Sequence, residues 1–279
     1  MGTISPASIV TRIGWSGAVA ALVITGLELA ILWALTHPTF RDAEGRPFDK
    51  GGRGRLLAGI ALAALTGLAA FPLSIALVQV PLQAAVTRWA MLNLATTSPY
   101  VLYAPAVLVS GLVQEPAKLV AALTGRRAAA ARPDGPALLV FGAAAGAAFG
   151  GIEAAWILSE AIATAGSPGH VLQAGVASST LALIAPAAVE RVFAVLFHIS
   201  SAALAAYGWG LGPVKGLAAL GAMALVHAAV NYGAVAAAAG DLGVIAVEAY
   251  VAGWALALAG AVVVLARHAR PKGERSRVS

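Results

Sequence analysis

Seven long apolar stretches, separated by short breaks that carry most of the charge, dominate this chain. They fall near residues 13–35, 56–80, 101–123, 137–160, 176–206, 215–238 and 243–266. Each holds roughly 20 residues or more, the length an α-helix needs to cross ~30 Å of hydrocarbon. The pattern predicts an all-α polytopic membrane protein, about seven transmembrane helices in one bundle, as a single domain over residues 1–279. The fifth stretch is over-long and holds Pro186, so a tilt, a kink or an interfacial start is expected there. Segment 82–98 is mixed, with Arg88, Trp89 and Asn93, and either lies in the interface or extends the second span. No soluble domain, low-complexity linker or internal repeat stands out.

Composition agrees with the pattern. The chain is 60% hydrophobic and 11% charged, where a soluble domain carries about 25% charged residues. It has no cysteine, which excludes disulfides, thiolate metal sites and cysteine nucleophiles and leaves the redox compartment open. The net charge of +6 does not point to nucleic acid, because the basic residues cluster in loops and in the tail 267–279. Arg41, Arg46, Lys50, Arg53 and Arg55 lie between spans one and two, and Arg126, Arg127 and Arg132 between spans three and four. Lys215 opens span six, and Arg267, Arg270, Lys272, Arg275 and Arg277 follow span seven. Seven spans put all of these on one side and leave only Arg12 and Arg88 on the other. The positive-inside rule then predicts an outside N-terminus and a cytoplasmic C-terminus. The first apolar stretch is too long for a signal-peptide core and lacks a small-residue cleavage site.

Against this background four polar sites stand out: Gln114-Glu115-Pro116-Ala117-Lys118, Glu153, Arg191 with His198, and His227 with Asn231. Ionisable groups at bilayer depth are costly and mark buried functional sites. Glu115 and Lys118 are three apart and share a helix face. Pro116 removes a backbone hydrogen bond and disfavours helix at Glu115, so a kink or break beside a carboxylate is expected. Gly142, Gly146 and Gly150 recur every four residues, a face for close helix packing, and Glu153 emerges one turn beyond. Arg191 and His198 share a face, and Arg191 needs a carboxylate such as Glu115 or Glu153. Glu190 points about 100° away and is not expected to be that partner. His227 and Asn231, four apart, also share a face. By helical rise the four sites fall in one central band, roughly 12–24 Å from the cytoplasmic ends. Glu28 and Glu248 read as structural, or as satisfied by Ser, Thr or backbone.

Missing motifs narrow the chemistry. There is no His-Glu-x-x-His and no Gly-x-Ser-x-Gly. Gly240-Asp241 sits at a membrane edge without a second intramembrane Asp, which disfavours an aspartyl dyad. Glu and His side chains remain, able to activate water as general bases or to bind zinc through two His and a carboxylate.

The order and spacing of the four sites resemble the PrsW and YhfC-type membrane peptidases, within the superfamily of CAAX prenyl endopeptidases. The matching segments are Gln114 to Lys118, the glycine-rich Gly146 to Ala154 around Phe149 and Glu153, Arg191 with His198, and His227 to Asn231. The resemblance covers about 101–235, the peptidase-like core. It implies a glutamic-type intramembrane endopeptidase. Glu115 with His198 would activate water, His227 with Asn231 would hold the oxyanion, and Glu153 would be a further carboxylate. Gln114, Lys118 and Arg191 would support them. Two positions depart from the pattern: Gln114 stands where the family has its first Glu, and Ala154 follows Glu153 where PrsW-like chains have Asn.

The expected cofactor set is none, with zinc on Glu115, His198 and His227 as the metal-dependent version. Expected partners are the lipid bilayer and a membrane-protein or peptide substrate, with no nucleic acid, in a bacterial plasma membrane. Two other functions fit the same residues. One is a non-catalytic scaffold of the same fold, suggested by Gln114. The other is a small proton-coupled transporter, in which buried Glu and His relay protons.

Overall fold

The helices are continuous where the apolar stretches lie. The computed structural model describes residues 4–36, 50–130, 135–165 and 179–268. A short helix α1 (Pro6–Thr11) precedes α2 (Trp15–Thr36), α3 (Lys50–Ser74) and α4 (Val80–Asn93). There follow α5 (Pro99–Ala129), α6 (Gly135–Ala165), α7 (Ser179–Gly210), α8 (Pro213–Ala238) and α9 (Val244–His268). Seven helical stretches are long and apolar enough to cross a bilayer, and each coincides with a predicted span. This is an all-α polytopic membrane bundle.

Residues 82–93 continue the helix of the second span, and 94–98 are non-helical. The helix runs from α3 into α4 through a π turn, Ile75–Gln79. Pro81 supplies the physical reason: its nitrogen has no hydrogen for the carbonyl four residues back, and its ring crowds that carbonyl, so the turn before it widens. No break occurs at the prolines of the inner helices. α5 passes through Pro105 and Pro116, and α7 through Pro186, without leaving the helix. Both helices are packed on several sides, and that packing outweighs the local cost of proline. The start of the fifth predicted span, 176–178, lies outside the described residues.

Burial ranks the helices. In the apolar stretch of α7, 67% of residues are buried, and in α5 and α6 56%, against 17% in α2 and 22% in α9. The inner helices α5, α6 and α7 therefore hold the centre. On the outer α2, exposed Leu22, Val23 and Leu27 are what lipid contact requires. The glycine stripe of α6 is the closest seam. A Cβ on Gly142 would stand 2.7 Å from Cα of Ala203, and one on Gly150 would stand 2.9 Å from Cβ of His198. Small residues there let α6 and α7 approach at backbone distance, and this approach sets the depth of His198.

One end of the bundle collects the cations. Arg267 donates to the Leu35 carbonyl at 3.2 Å, tying the ends of α9 and α2. The start of α3 lies against the end of α5 at Gly59 and Ala129, and the start of α6 lies against Tyr207. α7 and α8 join there through Leu211 and Gly212, where a φ of 117° favours glycine. Arg53, Arg55, Arg126, Arg127, Lys215 and Arg267 all belong to this end. Arg41, Arg46, Arg132, Arg270, Lys272, Arg275 and Arg277 lie outside the described residues. Arg12 pairs with Glu160 at the opposite end, at 3.4 Å.

Candidate active site

α5, α6, α7 and α8 each send a polar side chain into the centre. Counted from the cationic end, Glu115, His198 and His227 lie about 18–21 Å in and Glu153 about 27 Å. They meet in two layers.

The inner layer is a closed network. Glu115 and Lys118 are both fully buried. Oε1 of Glu115 accepts from Lys118 Nζ at 2.7 Å and from Ser201 Oγ at 3.2 Å, and His227 Nδ1 lies 2.7 Å from it. The Lys118 ammonium also donates to Ser201 Oγ at 2.8 Å and meets His198 Nδ1 at 3.1 Å. All three of its protons are thus engaged, and the rings of Phe149 and Phe197 flank it at 5.8 and 5.7 Å. These contacts fix both imidazoles. An ammonium only donates, so His198 Nδ1 accepts and its proton sits on Nε2. A carboxylate only accepts, so His227 donates from Nδ1 and Nε2 keeps a lone pair.

The outer layer lines a cavity of about 100 Å³ between α7, α8 and α9. Its polar wall comprises Gln114, Glu153, Glu190, Arg191, His198, His227 and Asn231, and Val230, Ala234, Val247 and Val251 close the other side. Glu153 bridges two α7 residues: Oε1 accepts from Arg191 Nη1 at 3.1 Å, and Oε2 stands 3.0 Å from His198 Nε2. With its proton on Nε2, His198 turns that N–H toward Oε2, off the ideal hydrogen-bond line. Asn231 donates from Nδ2 to Ser110 Oγ at 2.8 Å. Gln114 donates from Nε2 to Gln79 Oε1 at 3.0 Å.

The expected carboxylate partner of Arg191 is Glu153, with Glu190 in addition. Glu190 takes the Nε hydrogen at 2.9 Å and a second one from Nη2. Neighbouring Cβ atoms diverge by about 100°, yet both side chains are long enough to curl back into a bidentate pair. The Ser, Thr or backbone partner that is one reading of Glu28 and Glu248 is missing, among the described residues, at three of their oxygens. Both oxygens of Glu28 and Oε2 of Glu248 are buried without a hydrogen-bond partner among the described residues.

Zinc on Glu115, His198 and His227 does not fit this arrangement. The Lys118 ammonium stands against two of those residues, and His227 Nδ1 is spent on Glu115. Among the described residues no three His, Asp or Glu side chains gather as a metal site.

Ser110, Ser201, Gln79, Gln83 and Glu190 were missed in the sequence as parts of the site. Single hydroxyls and amides in apolar helices carry no periodic signal. Only Glu190 offered one, as a second ionisable group beside Arg191.

The fold and site define an all-α polytopic membrane protein with a buried Glu/Lys/His network beneath a polar cavity. Comparison with protein-family models, with curated proteins and with solved structures found no match.

Proposed function

We propose that this protein is an intramembrane peptidase, cleaving a membrane-embedded or membrane-proximal peptide bond in a bacterial plasma membrane with the cationic end cytoplasmic. One observation carries the reading. His227 is held through Nδ1 by the buried Glu115 carboxylate and belongs to the cavity wall that also holds Glu153. A carboxylate that orients an imidazole and leaves Nε2 free is the arrangement general-base catalysis needs.

In this mechanism a water held between Glu153 and His227 attacks the scissile carbonyl carbon. Nε2 of His227 takes the water proton, and Glu115 stabilises the imidazolium that forms. The same proton then passes to the leaving amine as the carbon–nitrogen bond breaks. Arg191 and the Nε2 hydrogen of His198 are the donors nearest to the developing oxyanion. The resemblance gives water activation to Glu115 with His198 and the oxyanion to His227 with Asn231. The contacts favour a different division. Glu115 is sealed behind Lys118, and one of the two N–H groups of Asn231 is spent on Ser110.

The test is cleavage of labelled single-span peptides by the full chain in liposomes. His227→Gln and Glu153→Gln each lower the rate by about 10²–10⁴. A wild type that leaves every peptide intact, or variants that keep the wild-type rate, refutes the reading. The non-catalytic scaffold keeps one specific support: Gln114 cannot act as a base, and its amide nitrogen is tied to Gln79. That reading requires binding of a membrane protein with no hydrolysis.

A further inference from the structure

Two anchored hydrogen-bond chains fix which end of each amide is left over in the cavity wall. Ser110 spends its hydroxyl hydrogen on the Val107 carbonyl at 2.6 Å. Its oxygen must therefore accept from Asn231, so the nitrogen of that amide faces Ser110 and Oδ1 is left free. The second chain starts at another backbone carbonyl. Gln83 Nε2 donates to the Ala106 oxygen at 2.8 Å, so Gln83 Oε1 accepts from Gln79 Nε2 at 3.4 Å. Gln79 Oε1 then accepts from Gln114. Gln114 is 5% exposed, lines the cavity, and keeps Oε1 without a partner.

Gln114 Oε1 and Asn231 Oδ1 thus present free acceptors to the cavity, and the Glu153 carboxylate, whose Oε2 meets His198 Nε2 at 3.0 Å, adds lone pairs beside them. Charge runs the same way. Among the described lining residues Glu153 and Glu190 carry two negative charges and Arg191 one positive, a sum of −1. Beneath them Lys118 offsets Glu115.

From this geometry we infer that the cavity is a binding site for a primary ammonium group. Such a group brings three N–H donors to a wall of acceptors and offsets the excess negative charge. A neutral amide or water does only part of this, and an anion does neither. Seating the cation also removes a negative field from the place where an oxyanion would form. As a substrate class this rests on the peptidase reading: the ammonium is then the α-amino group or a lysine side chain of the peptide.

Binding is measured without hydrolysis, on the full chain in lipid nanodiscs, by the shift of its thermal unfolding with added ligand. Methylammonium chloride raises the midpoint saturably above sodium chloride of equal ionic strength. Tetramethylammonium chloride, charged but without N–H, and sodium acetate do not. Gln114→Leu and Asn231→Leu each weaken methylammonium on the order of tenfold, the size of one lost hydrogen bond. Equal shifts with tetramethylammonium or acetate, or no shift at all, overturn the inference. So does unchanged affinity in both variants; should neither variant fold, the wild-type selectivity decides. Glycinamide and Nα-acetyl-lysinamide, added as competitors, separate the two sources, and competition by neither removes the peptide assignment. Ammonium binding without peptide cleavage sinks the peptidase reading alone. Cleavage without ammonium binding sinks this inference alone.

Discussion

Lys118→Met is the most informative single perturbation. Met keeps the length and most of the volume of lysine, so the change removes a charge and three donors while opening little space. What stays behind is the Glu115 carboxylate, fully buried and reduced to His227 and Ser201 as partners. Removing one member of a buried ion pair costs about 3–5 kcal/mol, because the charge left behind is uncompensated. The double variant Glu115→Gln/Lys118→Met removes that charge as well. It loses about 2 kcal/mol or less relative to wild type, since replacing both members of a buried pair is far milder than breaking it. The two residues are therefore strongly non-additive. The assay is SDS-driven unfolding in mixed micelles, followed by circular dichroism and by the six tryptophans. A single-variant cost below about 1 kcal/mol, or a double variant as costly as the sum of its parts, refutes the reading of Lys118 as the counter-charge of Glu115.

Three further outcomes follow from the same contacts. Gly150→Val pushes against the His198 ring, whose Cδ2 would be 3.1 Å from the first added carbon. It costs about 1–3 kcal/mol by overpacking, read in the same unfolding assay, and abolishes any cleavage with it. Glu28→Leu replaces a buried carboxyl lacking hydrogen-bond partners with an apolar side chain of similar size. It raises stability by about 1–3 kcal/mol, and a loss of stability in that variant reveals a partner for Glu28. Because the chain has no cysteine, Arg12→Cys and Arg267→Cys are clean topology probes. A membrane-impermeant maleimide on intact cells labels the first and spares the second; the reverse overturns the orientation.

Most of the fold could be read from the chain because span length and apolarity are local properties. All seven spans appear where the apolar stretches lie, and the Gly142-Gly146-Gly150 stripe packs as its spacing implies. Local rules failed where helices are supported from several sides. Pro116 does not break α5 because its neighbours hold the helix. The candidate site was half legible. The seven-residue spacing of Arg191 and His198 put both on one face, and both reach Glu153. The path of Lys118 could not be read. Its three-residue spacing from Glu115 suggests a simple local pair, yet the ammonium also meets His198 and Ser201 on α7. That depends on the register between two helices, and no periodicity within either one encodes it.

The two layers explain why the most buried carboxylate need not be the one that meets water. Glu115 has the shorter contacts and no place in the cavity wall, whereas Glu153 has longer ones and lines the cavity. A group held by an ammonium, a hydroxyl and an imidazole is fixed in position and charge, and it acts on the cavity through His227. A group held by Arg191 and His198 at its edges still faces the cavity and can meet a molecule there. Under the proposed peptidase reading, positioning falls to the inner layer and chemistry to the outer one. The Gln114 departure is harmless under this division. A glutamate at that position would add a second negative charge to the excess already in the wall. Glutamine keeps an acceptor there without the charge, and its nitrogen ties the cavity to Gln79 in the helix leading into α4.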